Sequence, residues 1–257
     1  MLPCFDLSGK TALVTGGSQS IGKAIAKALA LSGARISLVA RTGDTLRVAC
    51  EEIRALGADC IWSAADISDE AAVRAAVNGT VEAFGQLDIL INNAAAPSVA
   101  KPVEELTLAQ WRAVTRVNVD GMFIVAREAA RHMIPRRSGK IVILCSIASE
   151  VFNNNCDPGV YEVSKGAVEA MVRVLSANWC KYNINVNGIA PGYFMSDVVR
   201  DFYSAHPDRL EKSAALVPVG RFAQPEELGA VGVLLSSDGA SYMHGSIVTV
   251  DGGRTFM

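Results

Sequence analysis

The sequence predicts an α/β fold, a single-domain doubly wound parallel sheet with helices on both faces, over residues 1–257. Three observations carry this. Short apolar runs alternate with helix-period segments along the whole chain. The runs are almost continuously apolar, as strands covered on both faces of a parallel sheet must be. No Pro/Gly/Ser-rich linker, composition break, internal repeat or low-complexity tract divides the chain. With 257 residues, 50% of them hydrophobic and 19% charged, there is enough apolar material for one large core. Right-handed crossovers then wind the helices onto both sides of the sheet.

The first strand is read at Thr11–Thr15, followed by a helix with Ile21, Ala24, Ile25, Ala28 and Leu29 on one face. Arg35–Ala40 is the second strand, followed by a helix over about Asp44–Leu56. A strand at Asp59–Ala64 precedes a helix from about Asp69 to Phe84, and Leu87–Asn92 is the fourth strand. A long helix at Leu108–Met133 precedes the strand Lys140–Cys145. The Tyr161–Tyr182 helix precedes Ile184–Ile189, and Ile247–Val250 is the last short strand. The only long irregular stretch is Pro191–Pro218, read as a substrate lid at about 192–218 rather than a domain boundary.

Composition excludes several classes of function. The formal charge is -2 and there is no lysine or arginine run, so neither nucleic acid nor an anionic membrane is expected as partner. No stretch reaches the roughly 18 apolar residues of a membrane span. The start MLPCFDLSGK lacks a basic segment followed by an apolar run, so no signal peptide is expected and the expected place is cytoplasmic. The six cysteines form no CxxC pair and the three histidines lie far apart, so no metal site is expected. Free thiols, most of them buried, are expected instead.

Chemistry enters with TGGSQSIGKA, residues 15–24, which leaves the first strand and begins a helix. In that context backbone N–H groups and the positive end of the helix dipole face an anion such as a diphosphate. Gly16 allows a sharp exit from the strand, and Gly22 lets the helix pack close to the sheet. An ordinary tight turn is the competing reading. TGGSQSIG resembles the TGxxxGxG loop of the short-chain dehydrogenase/reductase family, with Ser20 in place of the middle glycine. Asn92-Asn93-Ala94-Ala95 resembles that family's NNAG segment, with Ala95 in place of glycine. Tyr161-Glu162-Val163-Ser164-Lys165 matches its YxxSK motif, Ile189-Ala190-Pro191-Gly192 its IxPG segment, and Val250-Asp251-Gly252-Gly253 its terminal VDGG. Order and spacing agree over essentially the whole chain. A small side chain at either former glycine is tolerable where φ is negative and costs about 1 kcal/mol or more where φ is positive.

The resemblance implies a Rossmann-type fold and a nicotinamide dinucleotide. Gly16, Ser18, Gln19, Ser20 and Ile21 would line the diphosphate, and the Ser20 hydroxyl could reach a phosphate oxygen. The position that carries an acid in NAD-using relatives is Ala40, followed by Arg41. Loss of the acid and the nearby guanidinium favour NADP(H) over NAD(H), whereas Gln19 stands where NADP-using relatives are often basic. Asp66 would bond the adenine amino group and Ile67 would pack on the ring. As a helix N-cap at this place, Ser68 fits better than Asp66. Asn93, Ala94 and Ala95 would lie along the cofactor, and Pro191, Gly192, Phe194 and Ser196 would wrap its nicotinamide end.

Reduction of a ketone leaves an alkoxide that needs a proton. A phenol ordinarily holds its proton up to about pH 10, so a tyrosine serves as the acid only beside a cationic group. Tyr161 and Lys165 stand at i and i+4 and share a helix face. The resemblance makes Tyr161 the acid/base, with Lys165 tuning it and binding the ribose. IVILCSIAS resembles the family's IVxISSxxG. That points to Ser146 as the residue holding the substrate oxygen, with Ser149 as the competitor and Cys145 replacing a serine. The Ser146–Tyr161 interval, 15 residues, is longer than usual in the family, the excess falling in EVFNNNCDPG. Asn118 resembles the asparagine that holds a proton-relay water. Substrate would meet Ser146, Tyr161, Phe152 and Asn153, near residues 96–99 and the lid cations Arg200, Arg209 and Lys212. A polar sugar acid or polyol suits that lining. The alternatives are a 3-oxoacyl-thioester reductase and, from another class, a catalytically idle nucleotide sensor or scaffold. The apolar chain end, with Tyr242, Phe256 and Met257, resembles the segment through which relatives form homotetramers.

Overall fold

The computed structural model describes residues 2–99, 101–152, 159–205 and 207–256. Among them seven strands form one all-parallel sheet. They are β1 (Thr11–Thr15), β2 (Arg35–Ala40), β3 (Cys60–Ala64), β4 (Ile89–Asn92), β5 (Gly139–Leu144), β6 (Ile184–Pro191) and β7 (Ile247–Val250). The order in space is β3-β2-β1-β4-β5-β6-β7. Winding reverses between β1 and β4, where Thr15 pairs with Asn92, and a crevice opens beyond the carboxyl ends of those strands.

Strand residues alternate between two helical layers, as a period of two requires. Val14, Leu38 and Ile91 point to one layer, with Ile25 and Leu29 of α1 (Ser20–Leu31), Leu46 and Ile53 of α2 (Gly43–Arg54) and Leu235 far along the chain. Leu13, Val39 and Leu90 point to the other, against Val77 of α3 (Glu70–Phe84). Between β4 and β5 run α4 (Leu108–Thr115) and α5 (Met122–Arg136), and α6 (Val160–Trp179) follows β5. Met122, Ala126, Val168 and Val172 complete this second layer. Each fully buried Leu or Ile contributes about 1.5–3 kcal/mol. This burial, more than helix propensity, decides where the helices sit.

The sequence-predicted elements all form, with ends shifted by at most three residues, and four local features differ. Asp69, not Ser68, caps α3: its carboxylate accepts from the N–H groups of Ala71 (2.9 Å) and Ala72 (3.1 Å). The long helix is interrupted by a π-helical segment at Arg116–Gly121. β6 continues to Pro191. The stretch expected to be irregular carries two helices, α7 (Asp197–Ser204) and α8 (Pro207–Ala214). The last helix, α9 (Gly229–Ser236), supplies Leu235 to the core. Of the five described cysteines, all free, Cys50, Cys60 and Cys145 are buried.

Candidate active site

β1 leads straight into the glycine loop. Gly16 takes φ 64, a conformation that suits glycine. A side chain at Gly22 would collide with the Gly16 carbonyl and come within 2.6 Å of Asn93 Nδ2, so α1 lies tight against the strand ends. Asn93 Nδ2 donates to the carbonyls of Thr15 (2.9 Å) and Gly16 (3.2 Å). Thr15 Oγ1 accepts from the N–H groups of Asn93 (2.9 Å) and Ala94 (3.1 Å). The ends of β1 and β4 are thereby stitched together beneath the start of α1. No side chain caps α1, so its first N–H groups stay open to an anion. The glycine loop, with the uncapped N–H groups of α1, fits a diphosphate. Ser18 is half-buried and Gln19 exposed at its mouth.

Ser20 takes φ 49, so the serine does bear the left-handed strain of about 1 kcal/mol. Its hydroxyl is taken by the chain itself: it donates to Asp197 Oδ2 (2.7 Å) and accepts from the Asp197 N–H (3.0 Å).

At the adenosine end, Ala40 closes β2 half-buried and Arg41 is exposed. Asp66 accepts from the Ser68 N–H (2.9 Å) and hydroxyl (2.7 Å). These bonds, the N–H first, hold its carboxyl below the usual carboxylate range, and the positive fields of Arg116 and Arg41 add to them. The Ile67 side chain is only 4% exposed and packs on Gly121, so little of it is left for an adenine ring.

The catalytic candidates gather at the carboxyl end of β5. Ser146 Oγ accepts from the Ala148 N–H (3.1 Å), and among the described residues its own proton has no acceptor, which leaves it for a substrate oxygen. The Ser149 hydroxyl is shared between the Ser146 carbonyl (2.7 Å) and the buried Glu169 carboxylate. That favours Ser146 over its competitor. Lys165, 2% exposed, donates from Nζ to the Leu144 carbonyl (2.7 Å) and lies 5.6 Å from the centre of the Tyr161 ring. Asn118 is fully buried in the π segment. Its Oδ1 accepts from the Ala96 N–H (2.7 Å), and its Nδ2 donates to the Ala96 carbonyl (3.2 Å) and Ser164 Oγ (3.0 Å). Ser164 in turn donates to the Tyr161 carbonyl (2.6 Å). Burial pushes the Cys145 thiol up to about 12, so it stays a protonated packing group.

Beyond β6, Gly192 packs on Asp251. Phe194 is 5% exposed and its ring belongs to the core, which leaves main-chain groups to face a cofactor. Ser196 caps α7, accepting from the Val199 N–H (3.3 Å). Arg200, Arg209 and Lys212 are exposed, and Arg200 approaches Asp197 at 3.7 Å. Phe152 is 53% exposed, and Asn153 lies outside the described residues.

A family model described as enoyl-(acyl carrier protein) reductase matches residues 16–255. A short-chain type dehydrogenase/reductase from Mycobacterium marinum superposes with a TM-score of 0.93 at 32% identity, covering 99% of this chain and 98% of the other. The chain belongs to the short-chain dehydrogenase/reductase family. Among its relatives, gluconate 5-dehydrogenase of Gluconobacter oxydans is 38% identical, over 98% of this chain and 96% of its own. A gluconate 5-dehydrogenase from Burkholderia cenocepacia, solved in complex with NADP and tartrate, superposes with a TM-score of 0.92 at 33% identity, covering 99% and 98%.

In this dehydrogenase/reductase, hydrogen bonds and close packing tie Asn118 to Ser164 and the Tyr161 turn, and Lys165 to the strand that delivers Ser146. Sequence reasoning missed the residues that hold these in place. Thr15 closes β1 and carries no motif signal of its own. Glu169 stands one helical turn beyond Lys165 on the same face, a periodicity that could have exposed it. Arg116 sits two residues before Asn118, and Asp197 directly follows Ser196; neither has a local signature.

Proposed function

We propose that this oxidoreductase interconverts a ketone and a secondary alcohol on a sugar acid or related polyol, with NADP(H) preferred over NAD(H). The observation that carries it is the convergence of Ser146, Tyr161 and Lys165 on the end of β5, beside the glycine cradle at β1. The open N–H groups of α1, with Asn93, Asp66 and Arg41, would hold the dinucleotide, and Lys165 would hold its ribose. When bound, that group supplies or accepts the hydride. Ser146 orients the substrate oxygen with its free proton while the Ala148 N–H fixes its own oxygen. Tyr161 gives its proton to that oxygen in reduction and takes it back in oxidation. The Lys165 charge stabilises the oxygen that Tyr161 is left with. Both Asn118 amide protons are given, to the Ala96 carbonyl and Ser164 Oγ, so a relay water would be held by main-chain groups of the π segment or by the second lone pair of Oδ1.

Arg41 and Arg116 favour a 2′-phosphate, and the gluconate relatives favour a polyhydroxy acid, whose carboxylate would find Arg200, Arg209 and Lys212 on the lid. Self-association as a homotetramer is proposed through Tyr242 and Phe256, 99% and 90% exposed. The test compares NADPH and NADH consumption over ketones, sugar acids and acyl thioesters, with Tyr161→Phe as control. Tyr161→Phe is expected to abolish turnover and leave cofactor affinity within about twofold. Retention of most activity would remove Tyr161 from the mechanism, and turnover of acyl thioesters alone would reassign the substrate.

A further inference from the structure

Ser20 stands in the first turn of α1, where the family pattern has glycine. At φ 49 glycine would sit there without strain. Both hydrogen bonds described for the serine hydroxyl go to one residue, Asp197: Oγ donates to Oδ2 at 2.7 Å and accepts from the N–H at 3.0 Å. The two residues are 177 positions apart, and Asp197 is the first residue of α7. Elsewhere this part of the lid is tied at its base, through Met195 N–H to the Ala223 carbonyl (2.8 Å) and Ala223 N–H to the Tyr193 carbonyl (2.9 Å). The Ser20–Asp197 pair therefore joins the glycine loop to the lid helix, and it places a carboxylate at the positive end of α1. That is the field a cofactor diphosphate would occupy. Arg200 answers the carboxylate only through an exposed contact at 3.7 Å.

We propose that Ser20 and Asp197 form a latch between the diphosphate loop and the lid, with Asp197 a tethered anion whose charge opposes the diphosphate of an incoming cofactor. The latch rests on the dinucleotide reading given above. It makes Asp197 a residue that sets cofactor affinity, and it makes Ser20 an anchor of the lid rather than a phosphate ligand. Two anions near the N-terminus of α1 repel each other, so a bound diphosphate weakens the hold of α7 on the loop and that hold weakens cofactor binding to the same extent.

NADPH and NADH are titrated by fluorescence into the wild type, Asp197→Asn and Ser20→Gly, and amide exchange of residues 197–204 is measured in the free proteins. Asp197→Asn removes the charge and is expected to tighten the bound dinucleotide about three- to tenfold, the effect of losing one nearby like charge in a wet site. Ser20→Gly is expected to tighten it in the same direction and to speed exchange in residues 197–204. Looser binding in Ser20→Gly would make the hydroxyl a phosphate ligand and overturn the latch. Unchanged affinity in Asp197→Asn would overturn it as well. Both outcomes leave the dinucleotide reading standing, provided that the wild type binds. A wild type that binds neither dinucleotide overturns that reading and the latch with it.

Discussion

Replacing Asn118 tests whether the π segment is held by its side chain. Asn118→Ala deletes three hydrogen bonds: one from the Ala96 N–H, one to the Ala96 carbonyl and one to Ser164 Oγ. Each is worth about 0.5–1.5 kcal/mol net. Ala96 is half-buried, so water replaces part of what it loses, whereas Ser164 is fully buried and Asn118 leaves a void. A total of about 3 kcal/mol follows. For a chain of this length that lowers Tm by roughly 6–12 °C. Asn118→Asp sharpens the test, because it is nearly isosteric. It keeps the acceptor for the Ala96 N–H but turns a second oxygen toward the Ala96 carbonyl and Ser164 Oγ. The Ser164 proton is already given to the Tyr161 carbonyl. Aspartate is therefore expected to destabilise at least as much as alanine. Thermal denaturation by circular dichroism measures both, and initial rates are expected to fall tenfold or more as the Tyr161 turn loosens. An Asn118→Asp protein melting within about 1 °C of wild type, or Asn118→Ala costing under about 1 kcal/mol, would refute this account of the segment.

Three further outcomes are expected. Gly22→Ala forces a Cβ into the Gly16 carbonyl and to within 2.6 Å of Asn93 Nδ2; overpacking of about 1–3 kcal/mol and loss of dinucleotide binding should appear in melting and titration. Ser146→Ala should lower kcat about 10²-fold, the effect of losing a donor to the substrate oxygen, whereas Ser149→Ala should stay within about tenfold; equal losses would mean that the two serines share the role. Asp251 is held below the usual carboxylate range: burial acts to raise it, but bonds from the Thr255 and Gly253 N–H groups outweigh burial. Its contribution is complete above the unfolded value near 4 and fades as pH falls through the lower folded value. The Tm gap between wild type and Asp251→Asn should thus be constant above about pH 5 and close in stronger acid, and a gap that widens there would reverse the sign.

The strands were legible because parallel strands covered on both faces write themselves as apolar runs, and Thr11–Thr15, Arg35–Ala40 and Ile247–Val250 appear with their expected ends. Helices α7 and α8 were not. α8 reads PDRLEKSA, almost without apolar residues, so a period of 3.6 has little to mark it. Ser68 and Asp69 are both good caps in tandem. The choice between them is made by Asp66, whose carboxylate takes the Ser68 hydroxyl and leaves Asp69 for the helix. The π segment has no local mark either: Asn118, within it, bonds Ala96 22 residues away.

The same division runs through the candidate site. Residues to which the family resemblance assigns a chemical partner carry their identity in the motif: Tyr161 is expected at a proton, and Lys165 and Asn93 along the cofactor ribose. Residues that hold those residues are recognisable only by what they touch, and the partner is often far along the chain. Glu169 reaches Ser149 over 20 positions and Asp197 reaches Ser20 over 177. Ser20 belongs to both groups. Its place in the glycine loop marks it as a cofactor residue, and its sequence context leaves the sign of its effect open, because that sign turns on φ and on where the hydroxyl goes. A positive φ means that the serine is strained, and a hydroxyl already committed to Asp197 means that the strain is set against a lid contact rather than a phosphate. A substitution inside a binding motif can thus change the motif's grip through a residue outside it. The glycine loop of this enzyme is then understood together with α7, whose first residue bonds it.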